Sequence, residues 1–128
     1  TSPEQARQVL KITCADGVMI GRASQGRPWL PGIIAHYLAT GDLLPEPDTS
    51  QIWETMTSHI EVLSEFYGEK TGVRISRKHL GWYFDALQER RLPQGWSRAL
   101  KRQFNQLEST RAQLMFIENQ YSSTGMAA

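Results

Sequence analysis

The chain has 128 residues, of which 40% are hydrophobic, and a formal net charge of +1 at pH 7. Its length is enough for one compact domain but falls short of the roughly 250 residues of a complete α/β barrel. No apolar run is long enough to span a membrane, and the first residues lack the pattern of a signal peptide. The single cysteine, Cys14, leaves no disulfide within the chain and no cysteine cluster for a metal. These features predict a cytoplasmic protein with no membrane partner.

The first predicted elements are a helix and a strand. Ser2, Pro3 and Glu4 place a capping residue, a first-turn proline and a favourable acid at a helix start, which predicts a helix over 3–12. Its predicted inward-facing residues are Ala6, Val9 and Leu10. A short apolar run bounded by glycines follows, and it predicts a buried strand over 17–21.

A candidate phosphate-binding turn comes directly after this strand. Gly21 allows a ligand to approach the backbone closely, and the Arg22 guanidinium offers paired donors that match a phosphate group. On its own, such a pair is more often a core strand and its turn than a ligand site. A helix that opens at Pro28 and ends near Gly41 completes a strand, turn and helix unit.

A proline-bearing linker over 41–48 separates two parts of the chain. We place a domain boundary inside it, because composition and pattern change there. The predicted organisation is a first domain over 1–44, a helical domain over 45–121 and a disordered tail over 122–128.

Four helices are predicted after the linker. Asp48 caps the first, Gln51 can complete a capping pair, and Gly68 ends the helix. Apolar residues that recur on one helical face predict three more, over 72–89, 93–106 and 109–121. On the last helix, the residues predicted to be buried are Leu114, Met115, Ile117 and Tyr121. Short connections between four helices predict a C-terminal four-helix bundle in a mainly α chain.

The small net charge conceals a strong asymmetry along the chain. Residues 41–69 contain seven acids and no lysine or arginine. Residues 70–111 contain ten lysines and arginines against three acids, which leaves a net charge of +7 in this segment. A surface of this kind attracts a polyanion.

The helix over 72–89 carries most of this signal. In a helical projection at 100° per residue, its apolar residues occupy one sector, and its basic residues, with Gly81, occupy the opposite sector. A merely solvated face usually mixes acids and bases, so a face of one sign favours binding. Gly81 costs about 1 kcal/mol of helix propensity relative to alanine, and we interpret it as room for a backbone, of protein or of nucleic acid, to approach closely.

Histidines and tryptophans have competing interpretations. His79 lies between the two sectors and can donate to a phosphate or stack on a base, although helix packing is the commoner role of such a residue. His59 is interpreted as structural, and the three histidines are too scattered to predict a zinc site. The tryptophans that occupy apolar helical positions, and are therefore predicted to pack in the core rather than stack on bases, are Trp53, Trp82 and Trp96.

Two segments of the chain carry a family resemblance. Residues 19–29 read Met-Ile-Gly-Arg-Ala-Ser-Gln-Gly-Arg-Pro-Trp, and residues 75–83 read Ile-Ser-Arg-Lys-His-Leu-Gly-Trp-Tyr. In this order they resemble the tRNA-dihydrouridine synthases, most closely the bacterial B-type and nitrogen-regulation-operon members. The resemblance runs from the first residue to about Tyr121 and covers only the C-terminal third or so of the family's length. We therefore expect the chain to be a C-terminal fragment.

The resemblance implies a fold and an activity for the full-length parent. Members carry an FMN-binding TIM (β/α)8 barrel, so residues 1–44 would be its last helix, strand and helix, preceding the bundle. NADPH reduces the flavin, which reduces uridine in tRNA to 5,6-dihydrouridine. The catalytic cysteine of the family lies upstream, and Cys14 does not match it. Gly21 and Arg22 match half of the FMN-phosphate site, so the chain alone is predicted to be inactive and to bind no cofactor.

The basic sector and the resemblance together predict an RNA-binding face whose ligand is tRNA. The residues predicted to form it are Arg74, Arg77, Lys78, His79, Arg98, Lys101 and Arg102. Its contacts would hold folded RNA by its phosphates and shape rather than read its sequence.

Two alternatives stay open at this stage. One is a stand-alone helical nucleic-acid-binding regulator, and the other is the dimerisation bundle of a different FMN barrel enzyme. A strand over 17–21 without the rest of a barrel also exposes both edges. This predicts either a homodimer, formed through that strand or by swapping, or disorder before Trp29.

Overall fold

The computed structural model describes residues 2–13, 22–90 and 92–123. These residues form six α-helices and a short 3-10 helix at Arg22–Ser24. The helices are α1 (Pro3–Thr13), α2 (Leu30–Thr40), α3 (Thr49–Tyr67), α4 (Glu69–Gln88), α5 (Trp96–Phe104) and α6 (Thr110–Ser123). The prediction of a mainly α chain is confirmed. The predicted strand over 17–21, and the homodimer that depends on it, fall outside the described residues.

The chain divides into two compact units, Thr1–Pro47 and Asp48–Ala128. In the first unit α1 packs against α2. Leu30, Ile33 and Ile34 are buried there. Val9, predicted to face inward, is 48% exposed, so that prediction is wrong. The assignment of functional domains to 1–44 and 45–121 stays a prediction.

The second unit begins with the predicted capping pair. The Asp48 carboxylate accepts a hydrogen bond from the Gln51 amide (2.8 Å), and the Gln51 side chain accepts one from the Asp48 amide (2.9 Å). This reciprocal arrangement satisfies backbone donors that an uncapped helix leaves without partners. It fixes the start of α3 at the residue after Asp48.

Two glycines set the tight hairpin between α3 and α4. Gly68 is the single residue between the helices and has a φ of +82°, a conformation that side-chain-bearing residues rarely adopt. Gly72 then lies one turn into α4, where a Cβ atom would sit 2.8 Å from both the Leu63 carbonyl oxygen and the Ser64 Cα atom. The backbones of α3 and α4 therefore meet at Gly72. The helix predicted to begin at residue 72 begins instead at Glu69, because the Gly72 amide already donates to the Gly68 carbonyl.

The core of the second unit lies where α4 packs against α3, α5 and α6. Phe84 and Phe104 are fully buried there in an edge-to-face pair, with ring centroids 5.8 Å apart. On α6 the predicted burial of Met115 is wrong, since Met115 is 51% exposed, while Gln113 is fully buried. The side-chain Nε2 of Gln113 donates to the Val73 carbonyl oxygen, which lets a polar side chain take the inward position. Helix α6 includes residues 122 and 123, which were predicted to be in the tail.

Candidate nucleic-acid interface

Helix α4 has one buried face and one basic face. Most residues of its buried face are apolar or aromatic, namely Val73, Leu80, Tyr83, Phe84 and Leu87. On the opposite side Lys70, Arg74 and Lys78 are exposed. Spacings of three and four residues place Arg74, Lys78, Gly81 and Asp85 along one stripe of the helix. We call this line of residues the α4 stripe.

The second basic helix, α5, joins the α4 stripe at Gly81. The methylene groups of Lys101 are the nearest atoms to a Cβ built at Gly81, at 3.8 to 3.9 Å. Within the protein, a Cβ at Gly81 would therefore meet a lysine stem in ordinary van der Waals contact rather than another backbone. The approach of a nucleic-acid backbone to Gly81 stays a prediction. Gly72, rather than Gly81, is where α4 meets another backbone.

Asp85 holds the two helices together by its carboxylate. One oxygen accepts from the Ser97 hydroxyl at 2.7 Å, and the other accepts from the Lys101 ammonium at 2.7 Å. The positive charge of Lys101 is thus partly compensated within the protein. Arg98 and Arg102, on the same helix as Lys101, are exposed.

Arg77 differs from the other predicted RNA-binding residues. Its side chain is half-buried, and its Nη2 atom donates to the Leu107 carbonyl oxygen at 2.9 Å. Its Nε atom is buried and has no protein partner. These contacts connect α4 to the segment between α5 and α6. Arg77 therefore contributes to the internal structure, and its predicted role in RNA binding is untested.

His79 lies in a ring cluster that combines α3 and α4. The His59 and His79 rings are 4.6 Å apart between centroids, and the Trp82 ring meets His79 edge-to-face at 5.1 Å. The Lys78 ammonium sits 5.5 Å from the centre of the Trp82 ring. We call His59, Lys78, His79 and Trp82 the ring cluster. The sequence did not reveal it, because His59 and His79 come from different helices.

Burial sets the ionisation of this cluster. It lowers the pKa of His59, and it lowers the pKa of His79, with smaller contributions from His59 and Lys78. Burial also raises the pKa of Tyr83 to about 12. The Tyr83 hydroxyl lies 3.2 Å from the His59 Nδ1 atom. Both imidazoles are therefore neutral near pH 7 and present ring surfaces rather than charges.

The predicted flavin half-site is described only in part. Gly21 lies outside the described residues, and Arg22 is exposed in the 3-10 helix. The next arginine, Arg27, forms an ion pair with the Glu46 carboxylate at 2.5 Å. Trp29 donates to the same carboxylate at 2.7 Å. A flavin phosphate needs several converging donors, and the role of Gly21 and Arg22 in holding one stays a prediction.

Other site classes find no support in the part of the chain that the structure describes. No group of three or more His, Cys, Asp or Glu side chains there is placed to hold a metal ion. None of its helices is both long and apolar enough to cross a membrane. The basic surface of α4 and α5, with the ring cluster beside it, is the candidate site that the structure presents.

Comparison with known proteins decides the family. A sequence model described as "Dihydrouridine synthase (Dus)" matches residues 1–124. The chain belongs to the dihydrouridine synthase family. This confirms the resemblance drawn from the segments 19–29 and 75–83, both of which fall inside the matched range.

Individual relatives within the dihydrouridine synthase family agree. The chain is 43% identical over 132 residues to tRNA-dihydrouridine synthase B of Pseudomonas aeruginosa, which covers 99% of the chain and 38% of that protein. It is 43% identical to the protein of the same name from Vibrio cholerae, over 95% of the chain and 36% of that protein. For the one from Xanthomonas campestris the identity is 60%, over 64% of the chain and 25% of that protein. The chain thus spans between a quarter and about two-fifths of the length of these relatives.

Proposed function

We propose that the second unit is the tRNA-binding helical domain of a dihydrouridine synthase. The observation that carries the proposal is the surface formed by α4 and α5. Arg74 and Lys78 are exposed on one helix, Arg98 and Arg102 are exposed on the next, and the Lys101 stem lies against Gly81 between them. Family membership identifies the kind of nucleic acid, since the relatives' names specify tRNA.

Positive side chains on a rigid helical surface suit a folded RNA. Lysine and arginine neutralise phosphates and release counterions, which gives binding that weakens as salt rises. The helices hold the charges in fixed positions, so the surface can match the shape of a folded RNA without reading its bases. In this proposal the domain orients tRNA, and the position of the target uridine depends on that orientation.

We also propose that the complete protein reduces uridine in tRNA with FMN and NADPH, as the family resemblance implies. A bound flavin would supply the reducing chemistry. Gly21 and Arg22 match only half of the family's flavin-phosphate site, so we expect this chain alone to bind FMN weakly or not at all and to be inactive. Titration of FMN with the chain, followed by flavin fluorescence, tests this expectation, and saturable micromolar binding would contradict it.

The proposal is tested by titrating the chain into labelled tRNA at several salt concentrations. If four to six phosphates are neutralised, the logarithm of affinity falls with the logarithm of salt with a slope of roughly −3 to −5. Duplex DNA of similar length serves as the competitor. Preference for DNA would favour the alternative of a stand-alone regulator.

Charge reversal identifies the surface responsible. Arg74→Glu and Arg98→Glu are each expected to reduce tRNA affinity and to make the salt slope shallower, because each replaces an exposed positive charge of the surface. Arg111→Glu on α6 is the matched control, since it makes the same change of charge at another exposed arginine. Equal losses from all three variants would indicate a general effect of net charge. No loss from any of them, with dimerisation altered instead, would favour the dimerisation alternative.

A further inference from the structure

We infer that the ring cluster is a stacking platform for one unpaired base of the bound RNA, with Trp82 as its main surface and Lys78 on the adjoining phosphate. This inference rests on the proposed function, because it specifies which part of the bound RNA contacts the ring cluster. It concerns stacking on bases, whereas the basic surface acts through phosphates.

The surroundings of Trp82 separate it from the other tryptophans of the second unit. Trp53 is only 2% exposed and is a core residue. Trp96 is half-buried, and its ring meets the fully buried Phe84 edge-to-face at 6.0 Å. Trp82 is also half-buried, but its ring neighbours are the half-buried His79 and the exposed Lys78. Its ring therefore lies at the edge of the basic surface.

The ring cluster has the chemistry that single-stranded nucleic acids use. Stacking on aromatic side chains flanked by positive charges is the usual way in which proteins hold unpaired bases. The His79 and Trp82 rings pack in a T-shaped arrangement, and the His59 ring of α3 packs against His79. Because both imidazoles are neutral near pH 7, they extend an uncharged aromatic surface.

Lys78 has two uses in this arrangement. Without RNA its ammonium lies against the Trp82 ring as a cation–π partner. An incoming base competes for the same ring, and the phosphate joined to that base offers the ammonium a stronger partner. The lysine can move from ring to phosphate because it is exposed on a flexible stem. The contact between Lys78 and Trp82 is thus replaced by two contacts with RNA: the base stacks on the Trp82 ring, and the phosphate pairs with the Lys78 ammonium.

The test uses the whole chain, a tRNA, a short single-stranded oligouridylate and an abasic oligomer with the same number of phosphates. Trp82→Leu is expected to weaken binding of the oligouridylate by between about fivefold and about 150-fold, which is the usual loss for one stacked base. The salt slope stays unchanged, since no phosphate contact is removed. Trp82→Phe, which keeps an aromatic ring, retains most of the affinity, and the abasic oligomer binds the Leu variant as well as it binds the original chain.

Trp96→Leu is the matched control, because it removes another half-buried tryptophan of the second unit and is expected to leave affinity unchanged. Fluorescence gives a second measurement that does not depend on the stability of the Leu variant. Stacking quenches indole emission, so oligouridylate should quench the original chain more than the Trp82→Phe variant.

The results separate the two proposals. Equal quenching in the original chain and Trp82→Phe, or equal losses for the abasic and base-bearing oligomers, would overturn the stacking platform. If the original chain still binds tRNA with the expected salt slope, the proposed function survives that result. If the chain binds neither tRNA nor oligouridylate, the proposed function and the platform both fail.

Discussion

Gly72 of α4 lies directly against the Leu63 carbonyl of α3, and a Cβ atom at this position would sit 2.8 Å from that oxygen. The neighbouring atoms are backbone, so they cannot rotate away as the end of a side chain can. The close packing of α3 against α4 therefore depends on the absence of a side chain at one residue. The same helix carries a second glycine, Gly81, whose surroundings are open enough to serve as a control.

Gly72→Ala is expected to destabilise the second unit by about 1–3 kcal/mol, because the two helices must separate to admit the methyl group. Gly81→Ala is expected to stabilise it by up to about 1 kcal/mol, since alanine favours a helix and its Cβ would meet only the Lys101 stem at an ordinary distance. Thermal unfolding followed by circular dichroism measures both changes. Equal effects of the two substitutions would contradict this account of the crossing.

Arg77→Gln is expected to destabilise the unit by about 1.5–3 kcal/mol, because the charged hydrogen bond to the Leu107 carbonyl is lost. Arg74→Gln removes the same charge from an exposed position of the same helix and should change stability by less than about 0.5 kcal/mol. Urea unfolding of the two variants gives the comparison. If Arg77→Gln is as stable as Arg74→Gln, the contact with Leu107 contributes nothing to stability.

Asp85→Asn is expected to strengthen RNA binding and to steepen the salt slope by up to about 1, because Lys101 loses its internal partner and becomes available to a phosphate. The amide oxygen of asparagine can still accept from Ser97, so the loss of stability should stay below about 1 kcal/mol. Glu89→Gln removes the same charge from another exposed acid of this region and serves as the control. If the original chain and both variants have the same salt slope, Lys101 does not contact an RNA phosphate.

Acidification is expected to destabilise the second unit through His59 and His79. Burial lowers the pKa of both side chains below the ordinary value of 6.5, so the unfolded chain binds protons more readily than the folded chain. Stability is therefore fully present above about pH 6.5 and falls as the pH drops from there toward the lowered pKa values of the folded state. Melting temperatures measured across this window should decrease with pH.

Replacing both histidines with glutamine provides the control for this pH dependence. Glutamine is neutral at every pH and can still hydrogen-bond to the Tyr83 hydroxyl, which lies 3.2 Å from His59. The double variant should lose most of the decrease that begins below about pH 6.5. An unchanged decrease would assign the effect to other groups.

Much of the second unit could be predicted from the sequence because the signals are local. The capping pair of Asp48 and Gln51 and the stop at Gly68 depend on residues that are close in the chain. The apolar repeat of α4 likewise predicted its buried face, with Leu80 and Phe84 at the centre of the core. The prediction was wrong for Met115 on α6, because packing between helices rather than the local pattern decided that Gln113 is buried and Met115 is exposed.

The candidate site divides in the same way. Periodicity alone placed Arg74 and Lys78 on the solvent side of α4, since helical geometry fixes which residues share a face. The family followed from two short segments, because a motif is a property of the chain and needs no folding to be recognised. No local sequence pattern shows which neighbouring helix each basic side chain contacts.

The sequence by itself therefore determined the helices, the sign of the α4 surface and the family. Only the tertiary structure decided that His59 meets His79, that Arg77 holds the Leu107 carbonyl and that Gly72, not Gly81, is the point of close backbone contact. The reason is physical: each of these contacts joins elements far apart in the chain. Their meeting is set by how whole helices pack, to which every core side chain contributes.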